Sequence, residues 1–523
     1  MSASLFKKID QLNQVGIALS AQSDTAKLME QILTSAQLLT EADGGTLYRL
    51  ANHNELHFDV LQNTSLNIQL GGTHPQPVTL DPILLRNTDN TDNLSTVASY
   101  VAIKQQTVNI EDIYTDENFD FKGALNFDQA MHYRTQSMLT IPLKNFDNDT
   151  IGVLQLINAK DDNGQTIAFS EESKSLASSL ASQASVALTN RQLINEHKQL
   201  FEAFSQLVAD AIDKKSPYTG SHCKRVPILT MLLAQAANRS QHPDFKDFSL
   251  NEAQLFEIKT AAWLHDCGKL ATPEYIMDKS TKLETIFDRI EEIKTRFNVK
   301  AFQDLAEKYG IPKTEIQATQ AHYLKQYQHL NHINSGGEFL DPKDLEFVER
   351  WEQQTIQTLE GEVVPFLSLE EATNLKIERG TLNDEEREIM QDHAAISIDM
   401  LSILPFPKEL RHVAEIAGGH HERMDGQGYP NHLTESQLSI PARIMGIADI
   451  FEALSAGDRP YKKAKTLSES LRILGFMKKE GHINGELFNL FIREKVYLDY
   501  AKAHLKPEQI DEVDHDKIPG FEG

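Results

Sequence analysis

Residues 418–430 read GGHHERMDGQGYP and set two adjacent histidines, His420 and His421, beside acidic residues and a glycine-rich turn. Imidazole and carboxylate groups at this density favour a metal site, a proton relay or a nucleotide site. Adjacent histidines also occur on ordinary protein surfaces. The kind of site that this stretch forms can therefore be assigned only together with the rest of the chain.

Four further motifs occur outside this stretch. WLHDCGKL (263–270) places His265 beside Asp266, with Lys269 one helical turn later on the same face. Single candidate ligands also stand in YTGSHCKRV, MQDHAAIS and MGIADIFEAL, namely His222, His393 and Asp449. No local spacing links these positions, so we expect the fold to bring them together.

Taken in order, HD…K, HHExxDGxGYP, ADIFEAL and RPYK resemble the HD-GYP family of cyclic dinucleotide phosphodiesterases over residues 213–475. The resemblance implies an all-α domain that holds two divalent metal ions. Iron or manganese is expected from family usage, while the ligand types also suit zinc. By motif position Asp266 bridges the two ions, and the remaining ligands form two sets: His222, His265 and Asp449; and His393, His420 and His421.

The same resemblance assigns the reaction and its substrate contacts. A two-metal site activates water, so no side-chain nucleophile is needed, and Lys269 and Asp266 are the expected catalytic residues. Glu422 and Asp425 are expected to orient the histidines or the loop, and Arg443 to support Asp449. The expected substrate contacts are Gly428, Tyr429, Pro430, Arg459 and Lys462.

Three departures from the family pattern bear on these assignments. Tyr218 stands where three-metal members carry a glutamate, which favours two ions. The segment SAGDRPYK is one residue longer than usual. His393 follows Asp266 at an unusually long distance, because residues 288–378 form an insertion with apolar residues at helical spacing.

The N-terminal region, 12–190, mixes helix and strand patterns. Residues 24–42 have helical spacing behind an Asp24 cap, and 44–63 reads as two strands with Leu56, Phe58 and Val60 on one face. SMLTIPLKNFDNDTIGVLQLINAK (137–160) repeats the strand–turn–strand pattern. These motifs resemble a GAF sensor domain, and IEDIYTDENFD…HYRTQSMLTIPL is similar to the GAF domains that bind cyclic nucleotides. These motifs do not identify the ligand of the domain. A GAF domain that serves only for dimerisation is an alternative.

Residues 186–212 carry a heptad pattern between these two regions. Its two seams are Val186, Leu193, Leu200 and Leu207; and Asn190, His197, Phe204 and Ala211. Alternating steps of four and three residues predict a parallel coiled-coil dimer through 186–211. The alternative is a helix packed on its own domain.

Composition and charge exclude several classes of protein. A net charge of -25 argues against DNA binding, and no apolar run is long enough for a membrane span or a signal peptide. Two cysteines, Cys223 and Cys267, fit a cytoplasmic protein and are expected to be packing residues. Residues 476–523 form a C-terminal extension whose acidic end is expected to be partly disordered.

The sequence thus predicts an α+β multidomain chain: an N-terminal α/β GAF sensor domain, a connecting coiled-coil helix, and a C-terminal all-α HD-GYP domain with a helical insertion. The expected protein is an enzyme, a cytoplasmic, dimeric phosphodiesterase that hydrolyses cyclic di-GMP to pGpG, and whether the reaction continues to GMP stays open. Two alternatives remain. One is the same chemistry on another cyclic dinucleotide such as cyclic GMP-AMP, and the other is a non-catalytic module that responds to cyclic di-GMP.

Overall fold

A computed structural model describes residues 3–52, 54–215, 222–284, 288–306, 312–337, 339–357, 362–456 and 464–522. The chain divides into two compact units, residues 1–200 and 201–523. The elements up to the helix that passes from the first unit into the second are α1 (Ala3–Ala21), α2 (Thr25–Thr40), β1 (Ala42–Ala51), β2 (Glu55–Asn63), β3 (Ile68–Gly71), β4 (Ile83–Leu84), α3 (Val97–Lys104), β5 (Val108–Ile110), α4 (Lys122–Met131), β6 (Met138–Lys144), β7 (Thr150–Lys160), β8 (Thr166–Ile167) and α5 (Glu171–Lys215).

The first unit is built on one antiparallel sheet in the order β3-β2-β1-β7-β6-β5, with β4 on β2 and β8 on β7. Each face of the sheet has its own apolar core. Helices α2 and α5 cover one face with residues such as Ile32 and Leu180, and α3 covers the other with Val97 and Val101. This arrangement is the predicted α/β sensor fold.

Local signals in this unit act as the sequence predicts. Asp24 caps α2 by accepting hydrogen bonds from the backbone N–H groups of Ala26 and Lys27. The β6–β7 turn contains Asn148 with a φ of 67°, a left-handed conformation that asparagine tolerates better than most residues.

One strand prediction is wrong. Leu56 and Phe58 pack into the core on the α3 face of the sheet, whereas Val60 packs into the core on the α2 face. The cause is a β-bulge: Leu47 pairs with Val60 and Tyr48 with Phe58, so Asp59 is skipped in the backbone register with β1. An extra residue shifts the alternation by one position and turns every following side chain to the opposite face.

Helix α5 spans 45 residues without interruption and includes the whole heptad segment. All eight seam residues are exposed; Leu200 and Leu207, for example, are 69% and 65% exposed. Another face of the same helix is buried near its end, where Ala209 and Ile212 join the core of the second unit. The helix therefore packs on its own domain and also leaves the heptad seam uncovered.

The second unit is mainly helical. After α5 its elements are α6 (His222–Arg239), α7 (Glu252–Leu264), α8 (Glu274–Met277), α9 (Ile290–Ala306), α10 (Lys313–Asn334), α11 (Pro342–Glu352), β9 (Thr355–Gln357), β10 (Val363–Pro365), α12 (Leu369–Leu375), α13 (Asp384–Ser402), α14 (Val413–Gly418), α15 (Ile440–Ser455), α16 (Leu467–Lys479), α17 (Gly485–Arg493) and α18 (Val496–His504), with 3₁₀ turns at Cys267–Leu270, Lys408–Leu410, Glu435–Gln437, Pro507–Gln509 and His515–Lys517. Among the described residues, none of the helices combines the length and apolar character needed to cross a bilayer.

The C-terminal end is ordered, so the expected partial disorder of its acidic tail is wrong. Gln509 donates from its side-chain amide to the carbonyls of Ser455 and Lys465. Ile518 is buried in the same core as α15 and α17, and Phe521 packs against that core. Composition alone misses this because a few apolar side chains suffice to anchor a charged segment.

The insertion has a core of its own, formed by aromatic and aliphatic residues of α9 to α12 such as Phe297, Trp351 and Phe366. It also contains the two-stranded sheet of β9 and β10, which the helical spacing did not predict. The segments that flank it meet: Lys279, before the insertion, donates from Nζ to the carboxylate of Glu386, after it, at 2.7 Å. The insertion is therefore a side structure that leaves and rejoins the main helical domain at one place.

Candidate metal centre

Six elements of the second unit supply the predicted ligands. His222 begins α6, His265 ends α7, and Asp266 precedes the 3₁₀ turn that carries Lys269. His393 lies within α13. The remaining three, His420 and His421 after α14 and Asp449 within α15, complete the group.

Asp266 is 1% exposed and lies at the centre of the group. Its Oδ2 is 3.5 Å from His222 Nε2 and 3.4 Å from His265 Nε2. Its Oδ1 is 3.4 Å from His393 Nε2 and 3.9 Å from His420 Nε2. The two oxygens of one carboxylate therefore face two different sets of imidazoles, which is the arrangement of a bridging ligand.

The ligand atoms form two clusters on either side of Asp266. The first contains His222, His265 and Asp449, and the second contains His393, His420 and His421. Within each cluster all the ligand atoms lie within 4.8 Å of one another. Asp449 Oδ1 belongs to the first, 3.2 Å from His222 Nε2. The structure thus brings the seven predicted ligands together in the two predicted sets.

The hydrogen bonds of three histidines fix the direction of their lone pairs. Nδ1 of His265 lies 2.8 Å from the carbonyl of Ala262. His393 and His420 make the same bond to the carbonyl three residues earlier in the chain. A carbonyl only accepts, so Nδ1 carries the hydrogen, and Nε2 presents a lone pair toward Asp266.

These lone pairs have no partner in the protein. Among the described residues, Nε2 of His265, His393 and His420 and Oδ1 of Asp266 are buried without a hydrogen bond. Buried polar atoms are rarely left unpaired, and four of them converging on one point is the signature of a ligand set. The residues present fit a pair of metal ions.

Electrostatics favours the neutral form of His265, His420 and His421, whereas the surrounding carboxylates raise the pKa of His222 despite its burial. Burial lowers the pKa of His265 and His420, and it lowers the pKa of His421 to about 3. Burial opposes ionisation of Asp266, but the Lys269 charge and the neighbouring histidines bring its pKa well below the usual range. Neutral imidazoles and an ionised carboxylate are the forms that bind metals.

Two residues that support the ligands were not predicted from the sequence. His222 Nδ1 is hydrogen-bonded to Glu452, which is 1% exposed, and Arg225 Nε donates to the same carboxylate at 2.5 Å. A carboxylate behind a ligating histidine fixes its orientation and raises its basicity. The available signal was spacing, because Glu452 follows Asp449, and Arg225 follows His222, by three positions on a helix.

We expect Glu452→Gln to weaken metal binding at the cluster of His222 by about 10- to 100-fold, because the amide loses the charge that orients this imidazole. Metal content measured against a series of chelator concentrations tests this expectation. The matched control is Glu388→Gln, which changes an exposed glutamate on α13. Equal metal retention in the two variants would contradict the supporting role.

Lys269 directs its charge at the bridging carboxylate. Its Nζ is 2.6 Å from Asp266 Oδ2, and its side chain is 17% exposed. Burial opposes the charge, but Asp266 raises the pKa of Lys269 above its usual value. Both cysteines are buried in the surrounding core, and burial raises the pKa of Cys267 to about 11, so its thiol stays protonated.

Gly268 brings the turn of Asp266 directly against α13. A Cβ on Gly268 would lie 1.9 Å from the carbonyl oxygen of His393. The N–H of Gly268 donates to Ser397 Oγ at 2.8 Å. This contact sets the distance between Asp266 on one side and His393 on the other.

Hydrogen bonds of its own residues stabilise the loop that contains residues 418–430. Glu422 accepts hydrogen bonds from the N–H groups of Asn431 and Leu433 at 2.7 and 2.9 Å. A Cβ on Gly428 would meet the backbone of Glu422 and Arg423. Gly428 therefore packs directly against the backbone of the same loop.

Tyr429 and Pro430 end this loop beside the second cluster. The Tyr429 ring is 4.8 Å from the His421 ring, and its N–H donates to the His421 carbonyl. Arg443 does not support Asp449: its guanidinium donates to the carbonyls of Leu438 and Glu435 at the start of α15. Arg459, Lys462 and Tyr218 lie outside the described residues.

Two family models match this chain. Residues 24–188 match the GAF domain, and residues 369–487 match the HD domain. The chain therefore joins a GAF domain to an HD domain. His222, His265 and Asp266 precede the matched part of the HD domain and reach the same cluster through the fold.

The chain is also similar to curated relatives. The chain is 24% identical over 308 residues to 3'3'-cGAMP-specific phosphodiesterase 3 of Vibrio cholerae, covering 58% of this chain and 42% of that protein. It is 36% identical over 114 residues to 3'3'-cGAMP-specific phosphodiesterase 1 of the same organism, covering 22% and 26% of the two chains. It is 45% identical over 93 residues to a cyclic di-GMP phosphodiesterase of Thermotoga maritima, covering 18% and 25%. The chain thus spans less than half the length of each of these relatives.

Proposed function

We propose that this chain, with its GAF and HD domains, is a metal-dependent phosphodiesterase that hydrolyses cyclic di-GMP to pGpG. The observation that carries the proposal is the pair of ligand clusters sharing Asp266, with its buried and unpartnered Nε2 atoms. The relatives that match this chain are named as phosphodiesterases of cyclic di-GMP or of 3'3'-cGAMP, which supports the reaction class.

The proposed site binds two divalent ions, iron or manganese, in the clusters of His222 and His393. Such ions supply Lewis-acid stabilisation of the phosphodiester and lower the pKa of water near neutral pH. The chain's own residues hold the ligands in position, since backbone carbonyls orient His265, His393 and His420. Lys269 stays protonated and stabilises the negative charge that develops on phosphorus.

The proposed reaction adds a water oxygen to phosphorus and breaks the bond from phosphorus to the 3′ oxygen. The leaving 3′ oxygen takes a proton, and the product carries a 5′ phosphate. Tyr429 is placed to contact a guanine beside His421, together with Gly428 and Pro430. Arg459 and Lys462 are proposed phosphate contacts by motif position.

Substrate choice is tested by turnover of cyclic di-GMP and 3'3'-cGAMP at equal concentrations, on protein purified without oxygen and assayed for metal content. We expect faster release of pGpG from cyclic di-GMP. Faster cleavage of 3'3'-cGAMP would assign the chain to the alternative substrate. Tight binding of cyclic di-GMP by metal-loaded protein without any product would instead support the non-catalytic module.

We further propose that the chain forms a parallel homodimer through the exposed heptad seam of α5. Burying leucines such as Leu200 would remove apolar surface from water, at about 25 cal/mol per Å². Leu200→Lys should convert the dimer to a monomer in sedimentation velocity. Gln199→Lys adds the same charge one residue away, outside the seam, and should leave the dimer intact; monomers in both variants or in neither would exclude this seam.

A contact at the end of α5 supports regulation of the site through this helix. The ammonium of Lys215 donates to the carbonyls of Lys269, Leu270 and Thr272 at 3.1, 2.7 and 2.7 Å. All three donors of the lysine are therefore used on the turn that follows Asp266. A movement of α5 would act directly on the turn that holds Lys269 beside the bridging carboxylate.

We expect Lys215→Met to lower kcat by about tenfold, because small displacements of a catalytic group have large effects on rate. Metal content should be unchanged, since Lys215 touches none of the ligands. Lys214→Met alters the neighbouring exposed lysine and should retain full activity. If activity falls only in proportion to the amount of folded protein, Lys215 has a structural role and does not position the turn of Lys269.

A further inference from the structure

A cavity of about 510 Å³ lies at one end of the sheet in the GAF domain. Its lining comes from the second half of α2, the start of β1, the turn between β2 and β3, and Lys160 at the end of β7. Residues 110–120 and 132–143, which carry the motif similar to GAF domains that bind cyclic nucleotides, do not line it. Small-molecule sites have volumes of about 300–1,000 Å³. The cavity therefore has the size of a ligand site and is separate from that motif.

Asp43 fixes one wall of the cavity and is itself fully bonded. It is 6% exposed, and its Oδ1 accepts hydrogen bonds from the N–H and the hydroxyl of Ser65 at 3.2 and 2.7 Å. Its Oδ2 accepts from the Tyr133 hydroxyl at 2.6 Å and lies 4.0 Å from Lys160 Nζ. This carboxylate therefore needs no partner from a ligand, and it holds the surrounding backbone in place.

Two lining residues, Gln62 and Asn63, are buried and carry amide N–H groups that the protein leaves unused. Gln62 is 9% exposed; its Oε1 accepts from the Thr34 hydroxyl at 3.1 Å, and its Nε2 donates to no described residue. Asn63 is 3% exposed; its Oδ1 accepts from the N–H of Leu66 at 3.0 Å, and its Nδ2 is buried without a hydrogen bond to any described residue. Buried amides are rarely left unpaired.

The hydroxyl closest to this pair does not remove the deficit. Tyr133 neighbours Asn63, but its hydroxyl already donates to Asp43 and accepts from Asn158 Nδ2 at 2.9 Å. The unused N–H groups of Gln62 and Asn63 therefore call for an acceptor supplied from the cavity, such as a carbonyl oxygen.

The charge and the apolar surface of the cavity restrict the ligand further. Among the described residues that line it, Glu41 and Asp43 carry negative charges and Lys160 alone carries a positive one. This balance disfavours a phosphate or a carboxylate, because like charges repel. Leu38, which is 68% exposed, and Ile68 add aliphatic surface. The cavity thus suits an uncharged, partly apolar molecule that presents carbonyl oxygen.

We propose that this cavity binds an uncharged nucleoside or free base whose ring places a carbonyl oxygen beside a ring N–H. The carbonyl accepts from the amides of Gln62 and Asn63. Gln37, another lining residue, uses its Nε2 on the carbonyl of Asp43, which leaves its Oε1 to accept from the ring N–H. The faces of the ring pack on Leu38 and Ile68. The site belongs to the sensor domain and does not rest on the proposed phosphodiesterase activity.

The test measures the binding of guanosine and of adenosine to the full-length chain by isothermal titration calorimetry. Guanosine presents a carbonyl oxygen beside a ring N–H, whereas adenosine presents an amino group beside an unprotonated ring nitrogen. We expect guanosine to bind at least about tenfold more tightly, because adenosine leaves the buried amide N–H groups unpaired. Equal affinity for the two nucleosides, or no binding of guanosine, would overturn the proposal.

Two variants locate the binding. Gln62→Glu keeps the oxygen that accepts from Thr34 and replaces the unused N–H donor with a second oxygen, so guanosine affinity should fall about tenfold or more. Leu38→Asn changes an exposed side chain outside the buried network, and the loss of apolar contact should weaken binding about fivefold. Thermal unfolding shows that each variant is folded, and Leu38→Asn decides the outcome if Gln62→Glu is not.

Gln129→Glu is the matched control, because it makes the same chemical change at an exposed position on α4 that does not line the cavity. It should bind guanosine as the wild type does. Unchanged affinity in both Gln62→Glu and Leu38→Asn would place guanosine elsewhere and overturn the proposal, as would an equal loss in Gln129→Glu. Neither probe contains a phosphodiester bond, so failure here would leave the proposed activity untouched.

Discussion

Asp266→Asn is expected to lower phosphodiesterase activity by well over 100-fold, a larger effect than changes to partners outside the ligand set produce. The amide keeps the shape of the carboxylate but removes the negative charge. It also replaces one of the two oxygens that face the histidine sets. We expect metal content to fall together with activity, because the residue contributes to both clusters.

The same change should destabilise the metal-free protein. Lys269 would lose a partner at 2.6 Å in a largely buried position, and breaking such a pair by removing one member costs about 3–5 kcal/mol. Turnover, metal content and urea unfolding should be measured on the same preparation. Asp392→Asn, an exposed carboxylate next to His393, is the control, and full activity in Asp266→Asn would refute the two-metal centre.

Gly268→Ala should damage the centre without altering any ligand. The added Cβ would lie 1.9 Å from the carbonyl oxygen of His393 and 2.8 Å from Ser397 N. Both are backbone atoms, so no rotamer change relieves the overlap, and either the turn or α13 must move. We expect a loss of about 3 kcal/mol in unfolding free energy and, from a displacement of about 1 Å, a 100-fold loss in activity.

The control for this variant is Gly123→Ala. Gly123 lies in α4, where an added Cβ meets no atom within 4 Å. This change should be neutral or slightly stabilising, because alanine favours helix more than glycine does. If Gly268→Ala unfolds at the same denaturant concentration as the wild type and retains its metal, the close contact does not set the spacing of the ligands.

The ligand sets followed from the resemblance of long motifs to a known family, because no local spacing links those residues. Local signals explain the cap at Asp24 and the hairpin turn at Asn148, which depend on residues within a few positions. These features are determined by neighbours in the chain, which a single sequence displays directly.

The features that were missed depend on contacts between distant segments. The bulge at Asp59 arises from pairing with β1, and the order of the tail arises from a core built by residues such as Phe451 and Phe491. Glu452 stands three positions after Asp449, but its contact with His222, far away in the sequence, exists only in the fold. Each of these features can be recognised only when the fold is known.

The meeting of Lys279 and Glu386 has a consequence for the history of this domain. Because the insertion leaves and returns at one place and has its own aromatic core, its length is nearly independent of the geometry between Asp266 and His393. The entropic cost of a loop grows only slowly with its length. Residues in this segment can therefore be gained, lost or exchanged during evolution while the metal ligands on either side keep their places.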